Sequence, residues 1–433
     1  MPEMKQKLPL DSHPVGSRRF DAAAMGWLAW IAAACFVIYQ MAFQTSFASI
    51  QVRLEADLDL DSNDLGLISA AFFLSYAVVQ IPAGLLLDRF RPASLLPAAA
   101  IATGLCGLIL AFAEGSTLAL ISRLLMGAAA AFAFPGAAIV ARARISPAYL
   151  ALALGLTEGA IGSGAIIGQT GVTAVLSYMS WRWVIVVATL FSIPLAAFLW
   201  LALSRNCPTE LNSPTHHSKK IPFSKALKVV LRRGHVWRMG LIYALLAGVV
   251  FGLGGLWNLP LQEAFGRSEA QAAELTSWMF LGLAIGCPLF GYVADRTGWG
   301  RGLLLAGCIG TSLILWPIIF VSTPWPWLLV VTCFLLLGFA VSSSALTFPL
   351  ACSGVSPEFA GTTVAVVNCL GLLGAAVFLY LPGSILAIAG SQELNALQHS
   401  LSGYFIAAVL ASCIALVVLV RAIRRTSKGL RVT

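Results

Sequence analysis

Gly84-Leu85-Leu86-Leu87-Asp88-Arg89-Phe90-Arg91 and Gly291-Tyr292-Val293-Ala294-Asp295-Arg296-Thr297-Gly298 are two copies of one pattern, Gly-x-x-x-Asp-Arg, each ending an apolar run in its own half of the chain. A glycine one turn before a helix end lets a second helix approach closely. An aspartate at a helix C-terminus is disfavoured by the dipole of that helix and wants a partner, an arginine or another helix's N-terminus. The same device at equivalent places in two halves marks an internal duplication of the kind found in transport proteins.

Working outward from the pair, apolar runs of membrane length recur at about 22–46, 65–87, 93–113, 117–141, 151–176, 183–204, 237–262, 272–294, 302–322, 327–351, 360–388 and 401–421. A membrane helix consumes roughly 20 residues, whereas a barrel would show short alternating segments. Across the 433 residues, 59% are hydrophobic and 10% charged, with a mean hydropathy of +0.88. Soluble domains carry about 25% charge, so a soluble multidomain enzyme and a single-anchor protein are both excluded. The expectation is an all-α membrane protein of twelve transmembrane helices in two pseudo-symmetric six-helix bundles. Its divisions are a tail at 1–21, a bundle at 22–204, a basic linker at 205–236, a second bundle at 237–421 and a basic tail at 422–433. Lys5, Lys7, Arg18 and Arg19 precede the first run as in a signal peptide, but that run is too long for one and reads as a retained span.

The net charge of +9 would raise the question of nucleic acid in a soluble protein. Here the basic residues fall on alternate connections: Arg89, Arg91, Arg142, Arg144, the 205–236 linker, Arg296, Arg301 and the last dozen residues. Arg53, Arg182 and Arg267 alone occupy the other side, with Arg123 inside a span. This asymmetry places both termini in the cytoplasm and removes any need for a nucleic-acid partner. The opposite side has an acidic first loop, Glu55, Asp57, Asp59, Asp61 and Asp64, read as solvated, with Asp61 or Asn63 capping the second span. The nine cysteines show no CxxC or Cys/His cluster and read as packing residues. His216 and His217, in the linker, have too few partners for a metal site.

With both loops, Arg123-Leu124-Leu125-Met126-Gly127 and Trp181-Arg182 in view, the whole chain resembles the major facilitator superfamily, whose second-to-third-span loop reads about G-x-x-x-D-R-x-G-R. Tyr76-x-x-x-Gln80-Ile81-Pro82-Ala83-Gly84 and Leu256-Trp257-Asn258-Leu259-Pro260 further resemble a bacterial branch of metabolite-uptake carriers. That branch often has a first-span arginine five residues after a tyrosine, where this chain has Gln44 after Tyr39. The resemblance implies a monomeric secondary transporter of the bacterial inner membrane, without cofactor or metal, taking a small-molecule substrate and a proton. It also makes Gly84, Asp88, Arg89, Gly291, Asp295 and Arg296 gating residues, with Asp88 engaging the cytoplasmic end of the eleventh span in the outward-open state. Arg91 stands where the second copy keeps Gly298, which implies a weaker first latch.

Ionisable groups in hydrocarbon are costly and mark function by default. The histidines His13, His216, His217, His235 and His399 all fall in loops or tails. Glu158, about two turns into the fifth span, is the candidate proton-coupling residue; the competing reading pairs it with Arg142 or Arg144. Arg123 either holds an anionic group, pairs with a carboxylate, or snorkels outward. Tyr39, Gln40, Gln44, Arg123, Gln169, Trp257, Asn258, Gln262 and Asn368 form the candidate substrate-binding set, equally readable, residue by residue, as interhelical hydrogen bonding. Pro82, Pro135, Pro260 and Pro349 fall within spans and offer kinks, with Phe134-Pro135 and Phe348-Pro349 at equivalent places. Antiporters of the superfamily follow the last glycine of the fifth span with proline; Gln169 stands there instead, which favours uptake. The preferred expectation is proton symport of an amino acid, nucleoside or organic acid. The alternatives are proton-coupled efflux of amphipathic or siderophore-like compounds and a non-transporting membrane sensor. No phosphate loop or nucleophile motif supports an enzyme or ATP drive.

Overall fold

A backbone in lipid must satisfy its own amides, which favours helices wherever apolar runs are long enough. The computed structural model describes residues 15–204, 223–321, 325–356, 359–390 and 393–429, and all twelve runs are helical there. The first bundle holds α1 (Val15–Leu58), α2 (Ser62–Arg89), α3 (Pro92–Ala111), α4 (Ser116–Arg144), α5 and α6 (Trp181–Ser204). Helix α5 runs as Pro147–Ile166, a π-helical turn Ile167–Gly171, and Val172–Val175. The second bundle holds α7 (Gly234–Ala264), α8 (Glu269–Thr297), α9 (Gly300–Phe320), α10 (Trp327–Cys352), α11 (Ala360–Ala389) and α12 (Leu394–Gly429). Among the described residues, eleven of these are long and apolar enough to cross a membrane. Lys5, Lys7, His13, the 205–222 part of the linker with His216 and His217, and Arg431 lie outside the described residues.

One end of the molecule carries the loops rich in arginine and is called the basic end; the other carries Glu55 to Asp64 and Glu269 and is called the acidic end. At the acidic end the first loop is shorter than the hydropathy suggests. Helix α1 continues to Leu58 because Phe47, Ile50, Leu54 and Leu58 recur at helical spacing and are all buried, an amphipathic stripe that an apolar-run reading passes over. Glu55 and Asp57 are therefore helical, the turn is confined to Asp59–Asp61, and Asp61 caps α2 by accepting the Asp64 amide at 2.7 Å. Helix α12 likewise starts early, on buried Leu397, Leu401 and Tyr404. His235 stands in the first turn of α7 and His399 in the second turn of α12, rather than in loops.

The internal prolines act unequally. Pro135 and Pro349 each follow a local break, at Ala131–Phe132 and across the 3-10 turn Ser342–Leu346, and Pro260 follows the π turn Leu253–Trp257. In each case the missing amide removes the bond to the residue four before it. Pro82 leaves α2 unbroken. The second signature loop turns at Gly298, whose φ of 66° is left-handed; the first turns through extended Phe90 into Pro92 at the start of α3, so Arg91 needs no such conformation.

Across the bundles α2 packs on α11 and α5 on α8. The buried apolar side chains divide in a telling way. One cluster runs through the second bundle and into the acidic end of the first, including Phe47, Leu58, Leu65 and Trp181. A separate cluster, including Trp30, Phe36, Leu96 and Val140, fills the basic end of the first bundle. The two halves therefore share a core at one end only.

Candidate functional site

A Cβ built on a glycine of the helices that face each other across the bundles, α2, α5, α8 and α11, reports how close the opposite bundle comes there. Towards the acidic end, a Cβ on Gly383 of α11 would lie 2.2 Å from the Ser62 carbonyl oxygen, and one on Gly66 of α2 would lie 3.0 Å from the Leu379 oxygen. On α5, Gly162 would bring a Cβ to 2.8 Å from the Ala284 Cβ of α8. Towards the basic end the contacts fall away. Gly155 finds only Pro288, at 3.9 Å, and Gly84, Gly159, Gly291 and Gly361 find nothing within 4 Å. The bundles are sealed at the acidic end and parted at the basic end.

Polar side chains fasten the seal. Arg53 of α1 pairs with Glu269 of α8 at 2.8 Å. Gln169 donates to the Gly254 oxygen at 2.7 Å and to the Thr45 oxygen at 3.3 Å, joining the π turns of α5 and α7. A π turn frees a carbonyl from the helical ladder, and Gly254 offers such an oxygen. Thr170 and Ser277 share a hydroxyl contact of 2.7 Å, and Ser384 donates to the Asn63 side chain at 2.9 Å. Beside the seal, Trp181 donates to Asp57 at 2.7 Å, while Arg182 donates to the Ala111 and Ala113 oxygens at the end of α3.

Glu158 faces the parted side. It is half-buried on α5 between Gly155 and Gly159, where α8 stands off. Its carboxylate acts electrostatically on Tyr76 of α2, Tyr243 of α7 and Cys287 of α8. The Tyr243 ring lies 4.8 Å from that of Phe348, beside the Phe-Pro break of α10. Among the described residues Glu158 has no ion pair; Arg144, considered as its partner from sequence, donates to the Ala202 and Leu203 oxygens. A carboxyl without an ion pair, with two phenols and a thiol within electrostatic reach and next to an opening, is a group that can take up and release a proton.

Arg123 does not snorkel. It is fully buried, with its guanidinium carbon 4.8 Å from the Phe47 ring and 4.9 Å from the Phe72 ring. Cation–π contact offsets part of the desolvation cost, and one nitrogen reaches the Met126 sulfur at 3.6 Å. Its Nε and Nη2 have no hydrogen-bond partner, and no carboxylate pairs with it among the described residues. Gln44 is equally buried, with neither amide atom partnered.

The other sequence candidates disperse. Tyr39 donates to the Ala188 oxygen inside the first bundle, away from the gap. Gln40 is buried on α1. Trp257 donates to the Leu379 oxygen, Asn258 to Ala272 and Thr276, and Gln262 to Asn258 while accepting from Arg267, so all three serve contacts near the acidic end. Asn368 is half-buried on α11 beside Cys369, whose thiol approaches the Ala77 oxygen. Of the gating set, Gly84 and Gly291 face open space, Arg89 and Asp295 are exposed, and Arg296 lies over the Tyr292 ring at 5.3 Å. The Asp88 side chain lies outside what the structure describes. Tyr243 and Cys287 were not singled out from sequence. A mid-span tyrosine is out of place, since tyrosine concentrates at membrane interfaces, and that signal points to Tyr243.

Two bundles of six helices, duplicated signature loops and an interface sealed at one end define a secondary transporter. The Major Facilitator Superfamily model matches residues 32–379 and 252–431, and the chain belongs to that family. It is a multi-pass membrane protein. The inner membrane transport protein RhmT of Escherichia coli is 27% identical over 64% of this chain and 70% of its own length. The membrane sensor protein UhpC of the same organism is 25% identical over 86% and 89%. A bacterial homologue of the human lysosomal transporter Spinster shares the fold, with a TM-score of 0.72 at 17% identity over 94% of this chain and 97% of the other.

Proposed function

We propose that the protein carries a small polar metabolite together with a proton by alternating access, with Glu158 as the proton site. The observation behind this reading is the placement of Glu158, without an ion partner, on the open side of the gap between bundles. This reading takes the basic end as the cytoplasmic one, following the distribution of Lys and Arg, and with it an inward-open carrier that has both termini in the cytoplasm of a bacterial cell. Arg123 favours a metabolite bearing a carboxylate, because an anion would supply the partner its buried Nε and Nη2 lack. Gly84, Asp88, Arg89 and their second-half equivalents close the basic end when the bundles rock the other way.

Proteoliposome uptake with and without an inward proton gradient, across amino acids, nucleosides and organic acids, tests the reading. Glu158→Gln should abolish gradient-driven accumulation while sparing substrate exchange; accumulation at the original level would remove Glu158 from the mechanism. A sensor reading has the similarity to UhpC in its favour. It predicts substrate binding without turnover in the same vesicles.

A further inference from the structure

Away from the gap, the basic end of the second bundle contains a cavity of about 630 Å³ between α7, α9, α10 and α12. Arg232, Arg233, Arg238, Arg301 and Arg421 line it together with His235, and among the described residues no carboxylate does. His235 donates to the Ala351 oxygen at 3.0 Å, which fixes its ring in the wall. Topology alone asks for basic residues in the connections; it does not ask that residues from three separate segments converge on one hollow. Like charges gathered there repel one another. The cluster suits an anion, and the planar guanidinium fork matches phosphate oxygens in particular.

The surroundings of the cavity indicate where that phosphate comes from. Arg421 projects from a stretch of α12 whose Leu416, Val417 and Ile423 are exposed, so one wall faces hydrocarbon. Trp237 and Trp299 are exposed at the same end, as aromatic side chains at a headgroup layer are. Beside α7 and α11, the short helix Phe223–Leu231 buries Ala226 and Val230 and exposes Lys225 and Lys228, the pattern of a helix lying in a membrane interface. We propose that this arginine cavity binds the headgroup phosphate of an anionic phospholipid, with the acyl chains running along the exposed face of α12. The site is separate from Glu158 and does not depend on what the protein carries. Basic pockets of this kind between membrane helices suit such headgroups.

Native mass spectrometry of the detergent-solubilised full chain, titrated with phosphatidylglycerol or with phosphatidylcholine of identical acyl chains, tests the assignment. The intact protein should retain phosphatidylglycerol about tenfold more strongly, the equivalent of about 1.4 kcal/mol. Arg301→Gln with Arg421→Gln should erase that preference, and Arg301→Lys with Arg421→Lys should keep most of it. The thermal transition of each variant reports folding, and Arg421→Gln alone, at an exposed position, repeats the comparison if the Gln pair is unstable. Equal retention of the two lipids, or a preference unchanged in folded Gln variants, would overturn the proposal. Millimolar inorganic phosphate that strips the bound lipid would assign the cavity to a soluble phosphate compound instead, and would equally overturn it.

Discussion

Gly383 and Gly84 stand at opposite ends of the α2–α11 contact and meet opposite surroundings. A Cβ on Gly383 would strike the Ser62 carbonyl at 2.2 Å, whereas one on Gly84 would touch nothing within 4 Å. The same helix pair is a seal at one end and a gap at the other, and α5 with α8 repeats the gradient from Gly162 to Gly159. Both ends have glycine, so residue type does not set the difference. In the proposed alternating-access reading it belongs to the state of the molecule, with glycines at the basic end as spaces kept for a contact made when the bundles rock.

The largest break in that comparison should come from leucine at the two glycines. Gly383→Leu should cost about 1–3 kcal/mol in thermal unfolding, as overpacking does, because the clash is with backbone and no rotamer relieves it. Gly84→Leu should leave stability unchanged yet stop turnover, by preventing closure of the basic end. Next comes the polar fastening. Gln169→Leu removes the bonds to Thr45 and Gly254 and should weaken the seal by about 1–2 kcal/mol, read as faster labelling of a cysteine placed at the acidic end. Arg123→Met should act in the opposite sense, raising the unfolding temperature by the equivalent of about 1 kcal/mol, since an unpaired buried charge costs more than a packed apolar chain, while transport is lost. A double-mutant cycle on Arg53 and Glu269, about one third exposed, should give a coupling of only about 0.2–1 kcal/mol.

The elements on either side of this contrast, though not which end is closed, were readable beforehand, for physical reasons that differ by residue. Gly84 and Gly291 were legible because a repeated motif survives in both halves, and Glu158 because a carboxylate in an apolar run has few bland explanations. The twelve helices followed from run length. Phe47 to Leu58 did not, since an amphipathic extension lowers the average hydropathy that reveals a span. Gln169, Trp257, Asn258 and Gln262 were visible as polar side chains, but whether such a group meets a substrate or a neighbouring helix depends on tertiary contacts that no single segment encodes. The Arg53–Glu269 pair and the grouping of Tyr76, Tyr243 and Cys287 around Glu158 join residues far apart in the chain, and their partners became evident only from the packing.

The central claim is that the two ends open and close reciprocally. Double electron–electron resonance on a cysteine-free background, with spin labels at Leu67→Cys and Ala387→Cys near the acidic end and at Arg89→Cys and Gly361→Cys at the basic end, measures it directly. Without substrate, the acidic-end pair should be close and the basic-end pair distant; saturating substrate at low pH should lengthen the first distance and shorten the second in the same sample. Distances that move in the same direction, or a basic-end pair already close in the empty protein, would contradict the account.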